Sequence, residues 1–482
     1  MGMASIGFLG QRFIASPSIA TWASFVFRAL PLVIFPPFIF RFFTTEEAAF
    51  WFLLITLQGL QLLLESSIGL TFVRSIGYAM GGATQVLKHR SVVALPQSKT
   101  ENQDLLSSVW SVMRGMYPAL GVITFILLVV MGGYSSPVLI SKIPNPQEGW
   151  ICLVLFVSGA ALRAYGGLHV SYLYGVGKIS LLRWWEMAFW AVAVVAVIAT
   201  VMLGGNLVLV TLAYQIPLLV NLFWNMFLVR KDQDSRCNFV RQKTIDWNVF
   251  NDIWPGMWRA TLGVFIYLGT TQGAGLYYAQ IGSVQDVAIY LFAMSLMRPM
   301  MQFAQVPFMT KLPRLAALQA SGERGAQREL VQRAMLFSNF LLALMVVSGA
   351  LFLPLVAWIS GGEVARVPLI LWAIIGLASF LERVGAMHLQ LYSQTNHILW
   401  HWANGGASVL FIIFAWALLP YIDMLAIPSA LCLAIVLFYM PYAMWLSYRT
   451  YGFEFPAFEF KTSIVPCTLI SLVVIYSIAE IT

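Results

Sequence analysis

Six arginines interrupt the long apolar stretches of this sequence, and no lysine does so: Arg28, Arg114, Arg163, Arg259, Arg298 and Arg383. A guanidinium group stays charged in proteins, and its planar fork binds phosphate oxygens bidentately. Because an arginine within a membrane is energetically costly, it normally faces a water-filled cavity or a counter-charge. These residues therefore predict a cationic interior suited to a phosphate or pyrophosphate group.

A structural role is the alternative for each of these arginines. Arg114 lies within about two turns of the end of its apolar stretch, where a long side chain reaches the membrane surface. A structural ion pair is the other alternative for Arg114, and for the other five arginines the alternative is a purely structural role. The candidate substrate-binding residues are Arg28, Arg163, Arg259, Arg298 and Arg383.

Four carboxylates lie within or near the same stretches: Glu65, Glu186, Asp252 and Glu382. A carboxylate in a membrane cavity can bind a proton or Na⁺ and couple its movement to transport. Compensation for a nearby arginine explains these residues equally well. We therefore treat Glu65, Glu186 and Glu382 as candidate ion-coupling sites and leave the counter-charge role open.

The sequence contains no pattern typical of a metal site, a cofactor site or an enzyme. His397 and His401 have the i, i+4 spacing that places two side chains on one helix face, but no Cys, Asp or Glu nearby in sequence completes a metal site. The four cysteines have no CxxC spacing, and GxSxG, HExxH and Walker A motifs are absent. We expect no metal, no cofactor and no catalysis.

The elements that carry these residues are expected to cross a membrane. Of 482 residues, 60% are hydrophobic and 10% are charged, whereas soluble domains contain about 25% charged residues. The mean hydropathy is +0.80. Between Glu186 and Arg230 there are 43 residues without a charge, and a membrane-spanning helix needs about 20. We predict twelve spans and a thirteenth, at residues 18–40, 47–70, 108–131, 151–175, 184–203, 207–229, 252–279, 286–308, 334–355, 367–391, 398–419, 425–447 and 463–479.

The distribution of basic residues indicates the orientation of these spans. With the N-terminus in the cytoplasm, 19 of the 28 Lys and Arg residues lie on the cytoplasmic side and three on the opposite side. This asymmetry is typical of inner-membrane proteins. The net charge of +8 then reflects topology and contact with anionic lipid, and nucleic acid is not expected as a partner. The first span lacks a small-residue cleavage site and is expected to remain as an anchor.

The two halves of the chain repeat one plan. In each half the connection after the second span is long and basic, at residues 71–107 and 309–333, which indicates a duplicated six-span unit. We predict an all-α polytopic membrane fold with two pseudo-symmetric six-helix bundles around a central cavity, as in transporters built from repeats. The bundles are expected at residues 1–235 and 236–450, with an additional membrane segment at 451–482. The repeat pairs Arg28 with Arg259 and Arg163 with Arg383.

Residues 21–82 resemble the start of bacterial O-antigen and exopolysaccharide flippases of the multidrug/oligosaccharidyl-lipid/polysaccharide (MOP) exporter superfamily. In that pattern a first span with an arginine is followed by a T-x-E-E-A-x-x-W loop and a second span that ends in a glycine and a basic residue. The matching residues are Arg28, Thr44-Thr45-Glu46-Glu47-Ala48-Ala49-Phe50-Trp51, Gly69 and Arg74. Twelve spans in two bundles also match the family plan, and the thirteenth span departs from it.

The resemblance implies export of a lipid-linked oligosaccharide across the bacterial inner membrane. Its pyrophosphate-sugar headgroup would enter a cationic cavity while the undecaprenyl tail stays in lipid. The implied partners are the polyprenyl-pyrophosphate-linked oligosaccharide, membrane lipids and, as an open question, a polysaccharide polymerase.

Two other functions stay open. A cation-coupled drug or small-solute antiporter would favour acidic cavity groups over six arginines. A membrane polysaccharide polymerase or ligase would be expected to carry catalytic groups in a large periplasmic loop. The longest loop assigned to that side, at about residues 132–150, has only Lys142 and Glu148 as charged residues.

Overall fold

The structure is a computed structural model that describes residues 17–80, 82, 101–236, 244–311, 315, 324–360, 366–393 and 399–479. These residues form α-helices with short 3₁₀ and π-helical turns, and no strand occurs among them. Nine helical stretches within these ranges are long and apolar enough to cross a membrane, and one of them, Trp400–Tyr451, contains two successive helices. The predicted all-α, polytopic membrane fold is confirmed.

The first half of the chain contains six long helices: α1 (Pro17–Phe42), α2 (Thr45–Met80), α3 (Gln103–Ser135), α4 (Pro146–Gly175), α5 (Ile179–Met202) and α6 (Leu207–Asp234). The second half begins with α7 (Trp247–Ile281), α8 (Val284–Met309), α9 (Arg324–Ser360), α10 (Leu369–Tyr392) and α11 (Trp400–Ile422). Helix α12 runs from Ala426–Ala434 through a π-helical turn at Ile435–Tyr439 into Met440–Tyr451. Helix α13 runs from Ala457–Glu459 through a second π-helical turn at Phe460–Ile464 into Val465–Ala479.

Local sequence signals set several of these helix ends. Asn102, Asn206 and Ser283 precede α3, α6 and α8, and each side chain accepts a backbone N–H from three residues further on, at 3.0 to 3.1 Å. Such caps satisfy N–H groups that have no partner within the helix. Gly452 follows α12 with φ of 66°, a left-handed conformation that glycine adopts without strain.

Each predicted span coincides with one helix, and the differences lie at the polar ends. Helix α2 continues to Met80, ten residues beyond the predicted limit, and α9 begins at Arg324, ten residues before it. Hydropathy indicates where a helix leaves the apolar layer, whereas backbone hydrogen bonding continues through polar turns that favour helix. The extent of the apolar segments was therefore predictable, and the full helix lengths were not.

The described chain forms two compact units. The first comprises the described residues of 1–42 and 57–261, and the second comprises those of 43–56 and 262–479. In the first unit α1 packs on α5, α4 on α6, and α5 on α6. In the second, α7 contacts α11, α10 packs on α12, and α11 packs on α12. The same helix pairing thus occurs in both halves, as the repeat predicted, while the domain limits at residues 235 and 450 stay predictions.

A buried carboxylate of helix α13, Glu459, forms hydrogen bonds with other residues of the second unit. Glu459 is 5% exposed and accepts hydrogen bonds from Tyr448 Oη and Ser463 Oγ, both at 2.6 Å. His388 Nε2 of α10 lies 3.1 Å from Glu459 Oε1, and Asn339 of α9 donates to a backbone carbonyl of α13 at 2.9 Å. The predicted thirteenth segment is therefore an integral helix of this unit.

Candidate functional site

A buried carboxylate joins α1 to α5 in the first unit. Glu186 accepts a hydrogen bond from Arg28 of α1, one from Arg183 Nη1 at 2.6 Å and one from Ser24 Oγ at 3.1 Å. The side chain of Glu186 is 9% exposed, that of Arg183 12%, and that of Arg28 33%. One carboxylate therefore lies between two guanidinium groups, of which Arg28 is the more accessible.

Arg163 of α4 has an amide as its partner instead of a carboxylate. Its Nη1 donates to Gln215 Oε1 of α6. Gly159, one turn before Arg163, leaves room for this contact, because a Cβ there would lie 2.9 Å from Gln215 Oε1. The neighbouring Tyr214 donates to Gln58 Oε1 at 2.7 Å. At the contact of α4 with α6, the hydrogen-bond partner of this cation is thus a neutral amide oxygen.

Glu65 of α2 lies against α4, one turn along from Arg163. Its Oε2 accepts a hydrogen bond from Gln61 Nε2 at 2.7 Å, and a Cβ placed on Gly167 would lie 2.6 Å from its Oε1. Arg28, Arg163 and Glu186 are all near enough to interact electrostatically with this carboxylate. The first unit therefore brings four of the predicted site residues together: Arg28, Glu65, Arg163 and Glu186.

In the second unit, α10 carries Glu382 and Arg383, which bond to different partners. Tyr267 Oη of α7 donates to Glu382 Oε1 at 2.6 Å. Arg383 donates through Nη1 to Gln305 Oε1 at 3.1 Å and through Nη2 to Gln390 Oε1 at 3.2 Å. Successive residues of a helix point about 100° apart, which explains why these two side chains bond to different neighbours.

Glu382 also lines a cavity of about 50 Å³ inside the second unit. Tyr267, Thr270 and Arg298 contribute polar atoms to its wall, and most of the remaining lining is apolar. A neighbouring cavity of about 30 Å³ shares Tyr267, Thr270 and Glu382 and adds Asn404 of α11. Spaces of this size hold a few water molecules or a small ion, and not a sugar headgroup. The second unit thus places Glu382 and Arg298 on the wall of one small cavity.

The remaining arginine candidates lie apart from these groups. Arg259 of α7 is half-buried; its Nη1 donates to the carbonyl of Pro255 at 2.9 Å, and its guanidinium lies 5.1 Å from the centre of the Trp258 ring. Arg114 of α3 is exposed. His397 lies outside the described residues, and within the described ranges no group of three His, Cys, Asp or Glu side chains could hold a metal ion.

Sequence reasoning missed three residues that complete these groups. The basic-residue pattern assigns Arg183 to a cytoplasmic connection, whereas in the structure it belongs to α5 and forms an ion pair with Glu186. Gln215 and Tyr267 carry no charge and were therefore not selected. A search for amide side chains inside the apolar spans would have found Gln215, but nothing in the sequence distinguishes Tyr267 from the other tyrosines.

No family model matches this sequence, and no curated protein sequence matches it either. Solved structures match along nearly the whole chain. The lipid II flippase MurJ, in an inward closed conformation, has a TM-score of 0.62 at 12% identity over 96% of this chain and 98% of its own. An inward-facing MATE family multidrug resistance transporter of the MOP superfamily has a TM-score of 0.61 at 13% identity over 87% of this chain and 94% of its own.

The chain has the fold of MOP superfamily transporters. A third matching structure is a MOP superfamily transporter from Pyrococcus furiosus, for which the reverse polarity of the binding pocket suggests a different function. It matches with a TM-score of 0.54 at 13% identity over 91% of this chain and 98% of its own. The superfamily expected from residues 21–82 is thus matched at the level of the fold.

Proposed function

We propose that this MOP-fold protein is a flippase for undecaprenyl-pyrophosphate-linked oligosaccharide repeat units. It moves them from the cytoplasmic to the periplasmic face of the bacterial inner membrane for surface polysaccharide synthesis. Its N-terminus lies in the cytoplasm. The lipid-linked substrate is transported without chemical conversion, and a polysaccharide polymerase is the partner expected to receive it.

The observation that carries this proposal is an excess of positive charge within the apolar helices: in the first unit Arg28, Arg163 and Arg183 outnumber Glu65 and Glu186. Arg163 and Arg383, the pair related by the repeat, are bonded to glutamine oxygens, which carry no charge. Because a buried cation that makes no direct ion pair is costly, such residues are typical of an anion path. A pyrophosphate offers the oxygens and the negative charge that these guanidinium groups favour.

Accessibility suggests a division of roles among the arginines. Arg28 retains a side chain that is 33% exposed, and Arg259 is half-buried, so these two are proposed to contact the headgroup directly. Arg383 is 5% exposed, and Nε and Nη2 of Arg163 are both buried. Arg163 and Arg383, with Arg298, which is half-buried, are proposed to make the surroundings of the headgroup positive, with less direct contact.

The carboxylates divide in a similar way. Glu186 is proposed as a counter-charge, because two arginines and Ser24 already occupy its oxygens. Glu382 is proposed as the coupling carboxylate, because it lines a small cavity and has a neutral tyrosine as its partner. Glu65, bonded to a neutral amide, is the second candidate for coupling. The coupling ion would be a proton or Na⁺.

The test is surface polysaccharide in bacterial cells that depend on this protein. Arg28→Ala and Arg259→Ala are each expected to abolish surface polysaccharide while the folded protein stays in the membrane. Arg114→Ala, at an exposed position, is the matched control and is expected to leave the polysaccharide intact. Full activity of both Arg28→Ala and Arg259→Ala would remove the headgroup-binding role.

A second candidate function is a cation-coupled antiporter for drugs or small solutes. The small cavity beside Glu382 is compatible with it, since a carboxylate next to a small cavity suits a coupling cation in either function. The two candidates differ in substrate charge. An antiporter of this kind would move cationic compounds and would not need the arginines, so resistance to cationic drugs that survives Arg28→Ala would favour it.

A further inference from the structure

The guanidinium of Arg163 is hydrogen-bonded through only one of its three nitrogens. Nη1 donates to Gln215 Oε1, whereas Nε and Nη2 are buried and find no acceptor among the described residues. Nε and Nη2 form the side-on fork of an arginine, the edge that binds two acceptor atoms or one anion at once. Gln215 Nε2, on the partner side chain, is also buried without an acceptor among the described residues. Three N–H-bearing atoms at one contact therefore lack an acceptor.

The repeat-related Arg383 has one acceptor more than Arg163, although its Nε, like that of Arg163, is buried without an acceptor among the described residues. Arg383 bonds through both Nη1 and Nη2, and the second bond goes to Gln390, seven residues further along the same helix. Seven residues after Arg163 the sequence has Val170, which has no hydrogen-bonding group in its side chain. The second acceptor is thus built into α10 and missing from α4.

The charged side chains around Arg163 have one positive charge more than negative charges. The group formed by Arg28, Arg163 and Arg183 with Glu65 and Glu186 carries a net charge of +1 with all five ionised. Glu65, the nearest candidate to fill the fork, is bonded to Gln61 and lies over Gly167. A buried group of charges is most stable when it is neutral and its donors are satisfied.

We infer that the Arg163 fork, together with the Gln215 amide, is a binding site for one small monovalent inorganic anion, of the size of chloride or nitrate, inside the first unit. The anion neutralises the group and takes the place that Gln390 fills in the second unit. The inference shares Arg163 with the proposed function but needs no lipid-linked substrate. It stands if the flippase assays fail.

The experiment is thermal unfolding of the purified full chain in a neutral detergent, followed by tryptophan fluorescence. Sodium gluconate is replaced stepwise by sodium chloride or sodium nitrate at constant ionic strength. The Tm of the wild type is expected to rise by a few degrees and to saturate, as it does for a ligand that binds one site of the folded state. An unchanged Tm from gluconate to chloride and nitrate would overturn the inference.

Variants locate the site. Arg163→Gln is expected to lose the anion-dependent rise in Tm, and Arg163→Lys to weaken the apparent affinity at least tenfold, because lysine keeps the charge without the fork. Arg383→Gln is the matched control and is expected to keep the rise. An equal rise in Arg163→Gln and in the wild type would show that the anion binds elsewhere, which contradicts the inference.

The decisive variant is Val170→Gln, which gives α4 the acceptor that α10 has. It keeps Arg163, so it remains informative if Arg163→Gln does not fold. It is expected to unfold at the same temperature in gluconate and in chloride, because a glutamine oxygen then occupies the anion position at Nη2, as Gln390 does beside Arg383. An anion-dependent rise that is seen only after Glu65→Gln would mean that the Glu65 carboxylate fills the fork in the wild type, and the inference would be wrong.

Discussion

Glu186→Gln is the substitution for which the structure gives the clearest expected magnitude. Glutamine has nearly the same shape but keeps only one of the two acceptor oxygens, so the change removes the charge and leaves either Arg28 or the Arg183 and Ser24 pair without its acceptor. It leaves Arg28 and Arg183 beside each other without the carboxylate that they share. Removing one partner of a buried ion pair costs about 3 to 5 kcal/mol. Because Arg28 is 33% exposed and regains some hydration, we expect the lower end of that range, about 3 kcal/mol.

The assay is reversible unfolding of the purified protein in mixed micelles, compared with a surface ion pair in the same chain. The Arg333–Glu329 pair has side chains that are 78% and 62% exposed, so Glu329→Gln is expected to cost less than about 1 kcal/mol. The double variant Glu186→Gln/Arg183→Gln is expected to recover about 1 kcal/mol or more, since one of the two unpaired charges is gone. A cost for Glu186→Gln no larger than that for Glu329→Gln would refute the counter-charge role.

Three further predictions concern single contacts. Tyr267→Phe removes the hydrogen bond at 2.6 Å to Glu382 and is expected to cost about 1 to 3 kcal/mol of unfolding free energy, with an unchanged stability contradicting this contact. Glu459→Ala is expected to lower the unfolding free energy by about 3 kcal/mol or more, because its buried partners His388, Tyr448 and Ser463 lose their acceptor. It is also expected to make α13 sensitive to protease. A protease-resistant variant would show that other contacts hold α13 in place. Gly167→Ala places a methyl group 2.6 Å from the Glu65 carboxylate and is expected to cost about 1 to 3 kcal/mol, whereas Gly77→Ala, with open space around it, is the control that should be nearly neutral.

The positions of the helices were predictable from the sequence because a bilayer imposes them. Charged residues are excluded from an apolar layer of fixed thickness, so the intervals between charges mark the spans. The polar ends were less predictable: α9 begins at Arg324, inside the long basic connection at residues 309–333. The repeated pattern of long and short connections predicted that the two halves share one plan, but not which helices pair.

The contacts within the site could not be predicted in this way. Arg28 and Glu186 are 158 positions apart, and their meeting depends on how α1 and α5 are rotated against each other. Helix rotation is set by packing and not by hydropathy. The glutamine partner of Arg163 was missed for a related reason: a neutral amide carries no signal in a charge pattern, yet it determines whether the neighbouring cation is neutralised.

The central claim is that a lipid-linked oligosaccharide crosses the membrane through this protein with its headgroup on arginines. The measurement is the translocation of a radiolabelled polyprenyl-pyrophosphate oligosaccharide in proteoliposomes containing the wild type or the Arg28→Ala/Arg259→Ala variant. Each is tested with and without imposed proton and Na⁺ gradients. The account predicts translocation by the wild type and its loss in the folded variant. No translocation by the folded wild type, across several glycans and both gradients, would contradict it.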